Sequence, residues 1–287
     1  MRRRIAHLIV ILGLTAGLAH AQHAALTTPT ENDMYCSGMI TTDKVPIDTY
    51  IISGEESDQR ILWKEGRLVF INKGAKQGVK VGDQYFVVRP ESDQQMATQW
   101  VKWQASINKA MGTDWADLAR LRVANVQENT STAEVINACD YVERGDIVLP
   151  FAPREAPQYK PEAKFDIFAP PSGKAKAMIA AKLRFGVQSA AGNVVYVNLG
   201  AKQGVQVGNY FRVFRYQDNH HSTVYEIPKA DYMTFGYGSA PKPYGWSDLP
   251  RDILGEGIVL RVGPNAATVL LTYSVRDIYI GDYVELE

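Results

Sequence analysis

One block of sequence occurs twice, and it constrains the fold more than any other feature of the chain. Residues 69–88 read VFINKGAKQGVKVGDQYFVV, and residues 195–214 read VYVNLGAKQGVQVGNYFRVF. The offset is 126, and Gly74–Val79 recurs unchanged as Gly200–Val205. A second pair, VERGDIV at 142–148 and IYIGDYV at 278–284, closes each copy at an offset of 136. The difference of ten residues assigns the longer middle insertion to the second copy. Gly66 matches Gly192 at the first offset. Self-similarity on this scale marks a copied supersecondary unit. It predicts two tandem modules, 48–150 and 173–287.

The repeated block has the chemistry of strands and turns. Val69-Phe70-Ile71 and Val195-Tyr196-Val197 are short β-rich runs. Gly74, Gly78 and Gly82 then fall four apart, as do Gly200, Gly204 and Gly208. Glycine allows positive φ or close backbone approach. Val79 and Val81 alternate with lysine, so both are expected to point into a core. Tyr85–Val88, Leu121–Val126, Ala133–Ile136, Ile147–Leu149, Gly257–Val262, Thr268–Thr272 and Tyr283–Leu286 read as further strands. The fold class expected is mainly β, a small barrel or sandwich per copy. A phosphate loop needs GxxxxGK followed by Ser or Thr, and a dinucleotide fingerprint needs GxGxxG. The spacing here is GxxxGxxxG followed by Asp83 or Asn209, so the glycines are read as structural and no cofactor is expected.

Between the modules, Pro150, Pro153, Pro157, Pro161, Pro170 and Pro171 crowd one short stretch. Proline fixes φ and lacks an N–H, so 151–172 is expected to be an extended, semi-rigid linker. Phe165, Ile167 and Phe168 are expected to anchor part of it to a module. Before the first module lie two further segments. Residues 1–21 carry Arg2–Arg4, an apolar run from Ile5 to Ala19, and Ala19-His20-Ala21, which together read as a cleaved signal peptide. The run is about 15 residues, short of the roughly 20 needed to span a bilayer. Residues 22–47 form an N-terminal arm. The expected location is therefore periplasmic or secreted. Cys36 and Cys139 are the only cysteines. In an oxidising compartment such a pair is expected to be a disulfide, worth roughly 4–5 kcal/mol in the chain-entropy view.

Charge excludes one class of function. Lys plus Arg and Asp plus Glu are both 31. Removing the leader takes three arginines and no acids, leaving 28 basic against 31 acidic residues, a net charge of −3. A general electrostatic nucleic-acid binder needs a basic field instead. HExxH, GxSxG and EF-hand patterns do not occur in the sequence. His220-His221 is the one metal-like pair, but neighbours on a strand point to opposite faces, so no metal site is expected.

The Asn-x-Gly-x-x-x-Gly-Val-x-x-Gly-Asp/Asn pattern with its following aromatic strand resembles small β-modules of bacterial envelope proteins. It is similar to the C-terminal domain of flagellar assembly protein T, a periplasmic ring component. It also resembles exported proteins described as peptidoglycan-binding. The match spans about 20 residues per copy and supplies no catalytic residue. Gly145-Asp146 and Gly281-Asp282 echo the Gly-Asp of the LysM module, without its helical continuation.

The two insertions hold the candidate sites. In the first, Met96, Trp100, Trp103, Ile107 and Met111 share one face of a helix ended by Gly112. Such a helix covers its own barrel, or else presents Trp100 and Trp103 to a partner protein. In the second, an aromatic loop at 216–246 holds Tyr237, Tyr244 and Trp246. It either packs on itself or offers rings to a glycan or a protein. The sequence therefore points to a non-enzymatic exported envelope protein with a structural or adaptor role, possible peptidoglycan association included. A secreted glycan-binding module using the aromatic loop is the alternative. A hydrolase without a recognisable motif is the third reading, since paired carboxylates can lie far apart in sequence.

Overall fold

The computed structural model describes residues 27–91, 102–161, 165–216 and 250–287. The protein is mainly β. It opens with a short helix, α1 (Glu31–Tyr35), and a strand, β1 (Met39–Thr41). Thr30 and Asp33 cap α1 reciprocally, each side chain accepting from the other's backbone N–H.

Strands β2 (Ile51–Gly54), β3 (Leu62–Trp63), β4 (Leu68–Ile71), β5 (Gln84–Glu91), β6 (Thr113–Val126), β7 (Ser131–Ala138), β8 (Val142–Glu143) and β9 (Ile147–Pro150) follow. The helix α2 (Lys102–Met111) lies between β5 and β6. Antiparallel pairing gives the order β2-β4-β7-β6-β5-β9, with β1 added to the start of β6. The edges of this sheet curl towards each other. Ile51 N donates to Asp146 O at 2.9 Å and Val148 N to Thr49 O at 2.8 Å. The sheet interior holds Ile51, Trp63, Val69, Val87, Leu121, Val135 and Val148 among its buried residues.

The remaining strands are β10 (Lys176–Lys182), β11 (Gln188–Ser189), β12 (Val194–Val197), β13 (Tyr210–Arg215), β14 (Asp252–Val262), β15 (Ala267–Ser274), β16 (Ile278–Tyr279) and β17 (Tyr283–Leu286). Six of them form a closed barrel in the order β10-β12-β15-β14-β13-β17. Its interior is filled by side chains that include Ile179, Val195, Val197, Phe211, Val213 and Leu254. Outside each main sheet a two-stranded pair recurs, β3 with β8 and β11 with β16.

The turn block explains its own sequence. A Cβ on Gly74 would lie 2.3 Å from the Gln127 carbonyl oxygen, and one on Gly200 the same distance from that of Gly263. Only glycine lets these backbones approach. Gly78 and Gly204 end the 3-10 turns Ala75–Gln77 and Ala201–Gln203 in the left-handed region, at φ 84° and 80°. Asp83 and Asn209 are equivalent because each side-chain oxygen accepts a backbone N–H three residues back, at 2.9 and 2.8 Å.

Three expectations need correction. Val79 is 7% exposed but Val81 is 66%, and Val205 is 3% against 49% for Val207. The chain turns at Gly82 and Gly208, both at positive φ, before the alternation of a strand is established. Only one valine of each pair therefore reaches a core. The strand expected to begin at Leu121 begins at Thr113. Its first half shows no alternation, because Ala116, Leu118 and Ala119 join the core of the first sheet while Asp117 between them is buried against Gly38 of the arm and Arg261 of β14. In the linker, Phe165 meets Tyr273 at a ring distance of 4.8 Å, but Ile167 and Phe168 stay exposed. Among its described residues the stretch 151–172 carries no strand or helix, and much of it lies along the closed barrel as a strap.

Candidate functional site

Polar and charged groups converge where the arm, the first sheet, the strap and the closed barrel meet. Its floor is apolar. Met34 and Ile40 of the arm and Met111 of α2 pack on the outer face of the barrel at Ala180, Val194, Tyr196, Ile258, Leu260 and Leu270. The helix arrives there through Gln104, whose amide nitrogen donates to Ala180 O at 3.0 Å. Trp103 packs against the core of the closed barrel. The helix α2 was expected to cover its own barrel; it instead packs on the closed barrel of β10–β17, away from the sheet whose strands β5 and β6 it connects. Amphipathic periodicity states that one face is buried, not against what.

On this floor stands Asp117 of β6, whose side chain is 2% exposed. Arg261 Nη1, from β14, donates to both its carboxylate oxygens at 3.0 and 3.1 Å. Gly38 N of the arm donates to Oδ2 at 2.9 Å. The Arg154 guanidinium of the strap lies 3.6 Å away. A buried carboxylate is tolerated only with such a set of partners. Gly38 O in turn accepts from Arg261 at 3.1 Å and Thr268 at 3.3 Å, and Ser37 O accepts from the Tyr196 hydroxyl at 3.0 Å. Four chain segments are joined through two arm residues and one carboxylate.

Cations and rings surround this hub. The Arg154 guanidinium lies 4.6 Å from the Phe86 ring centre and 5.3 Å from that of Tyr35, and Arg120 faces Phe151 at 5.3 Å. Burial, and then the charge of Arg261, lowers the pKa of Arg154. Asp114 lies three residues before Asp117, opposite Glu91 of β5. Its Oδ1 is buried without a hydrogen-bond partner. Burial, followed by the charge of Glu91, pushes its pKa up to about 7. Burial and then Asp114 raise Tyr196 well above the ordinary tyrosine value.

The disulfide expected from the sequence lies at the same junction. Cys36 and Cys139 are bonded, with Cα atoms 5.3 Å apart. It ties the arm to the turn after β7. Arg184 Nη2, from the turn after β10, donates to the Cys139 carbonyl at 2.6 Å.

A smaller polar clamp recurs on each sheet and was not expected. Arg89 grips Asp146 through Nε and Nη2 at 2.7 and 2.9 Å, and Arg215 grips Asp282 at 2.7 and 2.7 Å. The same aspartates accept from Glu143 N and Tyr279 N. The Gly-Asp dipeptides therefore have a structural use. Recurrence of Arg89 as Arg215 at the first offset was the available signal.

Of the expected contact residues, Trp103 belongs to this junction. Trp100, Tyr237, Tyr244 and Trp246 lie outside the described residues, as do His220 and His221. Among the described residues no group of three His, Cys, Asp or Glu side chains is placed to hold a metal ion. Nor is any helix there long and apolar enough to cross a membrane. In comparisons with known proteins, no family model and no curated protein matched the chain.

Proposed function

We propose that the chain is a duplication of one β-barrel unit and acts as an exported, non-enzymatic adaptor of the bacterial envelope. Equivalent backbone bonds support the duplication. Ile51 N to Asp146 O corresponds to Ile179 N to Asp282 O, Gly66 N to Val135 O to Gly192 N to Leu271 O, and Gly82 N to Val123 O to Gly208 N to Val259 O. Export rests on residues 1–21 and agrees with the disulfide.

One observation carries the adaptor reading. The interiors of both units are packed with side chains, while the same turn is displayed on each, with Val81 and Val207 at the surface. Two like surface features held on one scaffold suit bivalent contact, in which a tethered second contact raises apparent affinity. Trp103 is engaged within the chain, so these turns are the better candidates for a partner protein. Peptidoglycan association belongs to the same proposal.

Affinity capture from the envelope fraction after mild crosslinking tests it. Val81→Asp with Val207→Asp should lose the captured component, and each single change should weaken capture. Unchanged capture by the double variant rejects these turns as the contact. Retention on purified cell wall that depends on Tyr237 and Trp246 would favour the glycan-binding alternative.

A further inference from the structure

We infer that the Cys36–Cys139 disulfide is a thiol-exchange site, open to a dithiol reductant, and that its reduction loosens the junction between the two β-units. The inference concerns the joint and stands apart from the partner proposed above.

Access is the first observation. Cys36 lines a cleft of about 370 Å³ between α1 and the second barrel, together with Asp33, Lys182, Arg184, Phe185 and Asn193. Both cysteines are only partly buried. Lys182 and Arg184 outweigh Asp33 in charge, and a basic surrounding favours an approaching thiolate. The second observation is the backbone over the cleft. Arg184 and Phe185 are consecutive non-glycine residues in the left-handed region, at φ 60° and 56°. Strain of this kind persists only where surrounding contacts hold it, and it gathers at functional positions. One such contact is the bond from Arg184 to the Cys139 carbonyl.

The third observation is position. The residues directly after Cys36 make the joint: Ser37 O takes Tyr196, and Gly38 binds Asp117, Arg261 and Thr268. The disulfide holds this segment to the first sheet, so cutting it releases the piece that both units share.

The exchange balances as follows. A thiolate of the dithiol attacks the sulfur of Cys36, the cysteine that lines the cleft, and forms a mixed disulfide. The Cys36–Cys139 bond breaks and Cys139 leaves as a thiolate. The second thiol of the reductant then attacks its own mixed-disulfide sulfur and frees Cys36. The protein gains two electrons and two protons, and the reductant becomes a disulfide.

The test uses the folded, oxidised chain without denaturant. Dithiothreitol is added at millimolar concentration, free thiols are alkylated, and amide hydrogen exchange is followed by peptide mass. Both cysteines should become alkylated within minutes. With reduced glutathione in place of dithiothreitol, the mixed disulfide trapped at short times should sit on Cys36. Exchange over residues 37–41 should speed up by about tenfold or more, while that over 121–123 and 195–197 stays slow. A Cys36→Ser, Cys139→Ser double variant should reproduce this exchange pattern without reductant. If the variant does not fold, the reduced natural chain carries the test alone. Reduction only in denaturant, an adduct on Cys139, or unchanged exchange over 37–41 each overturns the inference.

Discussion

Asp117 is the residue on which most of the joint depends. Its carboxylate is out of water and offsets two guanidiniums from segments far apart in the chain. Removing one partner of such a set leaves charge buried without compensation. Asp117→Asn should lower stability by about 3–5 kcal/mol, measured by chemical unfolding. Asp114 behaves in the opposite sense. Its folded pKa of about 7 lies above the ordinary aspartate value of 3.8, so folding favours the protonated form. Its contribution is fully present below pH 3.8 and is lost as pH rises through about 7. Stability should therefore decline over that window, and Asp114→Asn should flatten the decline. An identical pH profile in the variant would show that other groups set it.

At the scale of elements, the turn blocks and the Arg-Asp clamps hold the strands in register. A methyl group on Gly200 meets the Gly263 carbonyl and the Ala266 amide, which are backbone atoms with little room to move. Gly200→Ala should destabilise the fold by about 1–3 kcal/mol, and Gly74→Ala similarly, read from thermal or urea unfolding. The clamp is as exacting, since the Asp282 side chain is fully buried against Arg215. Asp282→Ala should cost about 3–5 kcal/mol, and Asp146→Ala should act alike at the first sheet. The turns were legible in the sequence because their glycines act through their own backbone. The clamp was half legible. Both halves recur, but Arg89 and Asp146 are 57 residues apart, and nothing local joins them.

For the whole molecule, the first sheet and the closed barrel do not meet as two finished surfaces. The outer face of the barrel carries Ala180, Val194, Ile258, Leu260 and Leu270, and it is covered by the arm and α2 from elsewhere in the chain. A fragment of residues 173–287 should therefore expose an apolar face. It should bind a hydrophobic dye and self-associate, where the full chain does neither. A monomeric, dye-silent fragment would show that the barrel does not need its cover. The strap takes part in the same closure, with Lys160 paired to Glu256 and Glu287, and Arg251 held bidentately by Glu285 below it.

What the sequence by itself determined is what short-range chemistry can express. Glycine spacing set the turns, and β-rich runs set the strands. Proline kept 151–172 free of regular structure among its described residues, and the two cysteines of the sequence marked the disulfide. Tertiary structure alone decided which faces are covered and by what. Trp103 turned to the closed barrel, Val81 turned to solvent, and Asp117 found Arg261 at a separation of 144 residues. The physical reason is that burial and charge pairing depend on surfaces that exist only once both sheets have formed. At the 136-residue offset from Asp117, moreover, stands Ile253. The repeat that exposed the fold therefore carried no trace of the joint.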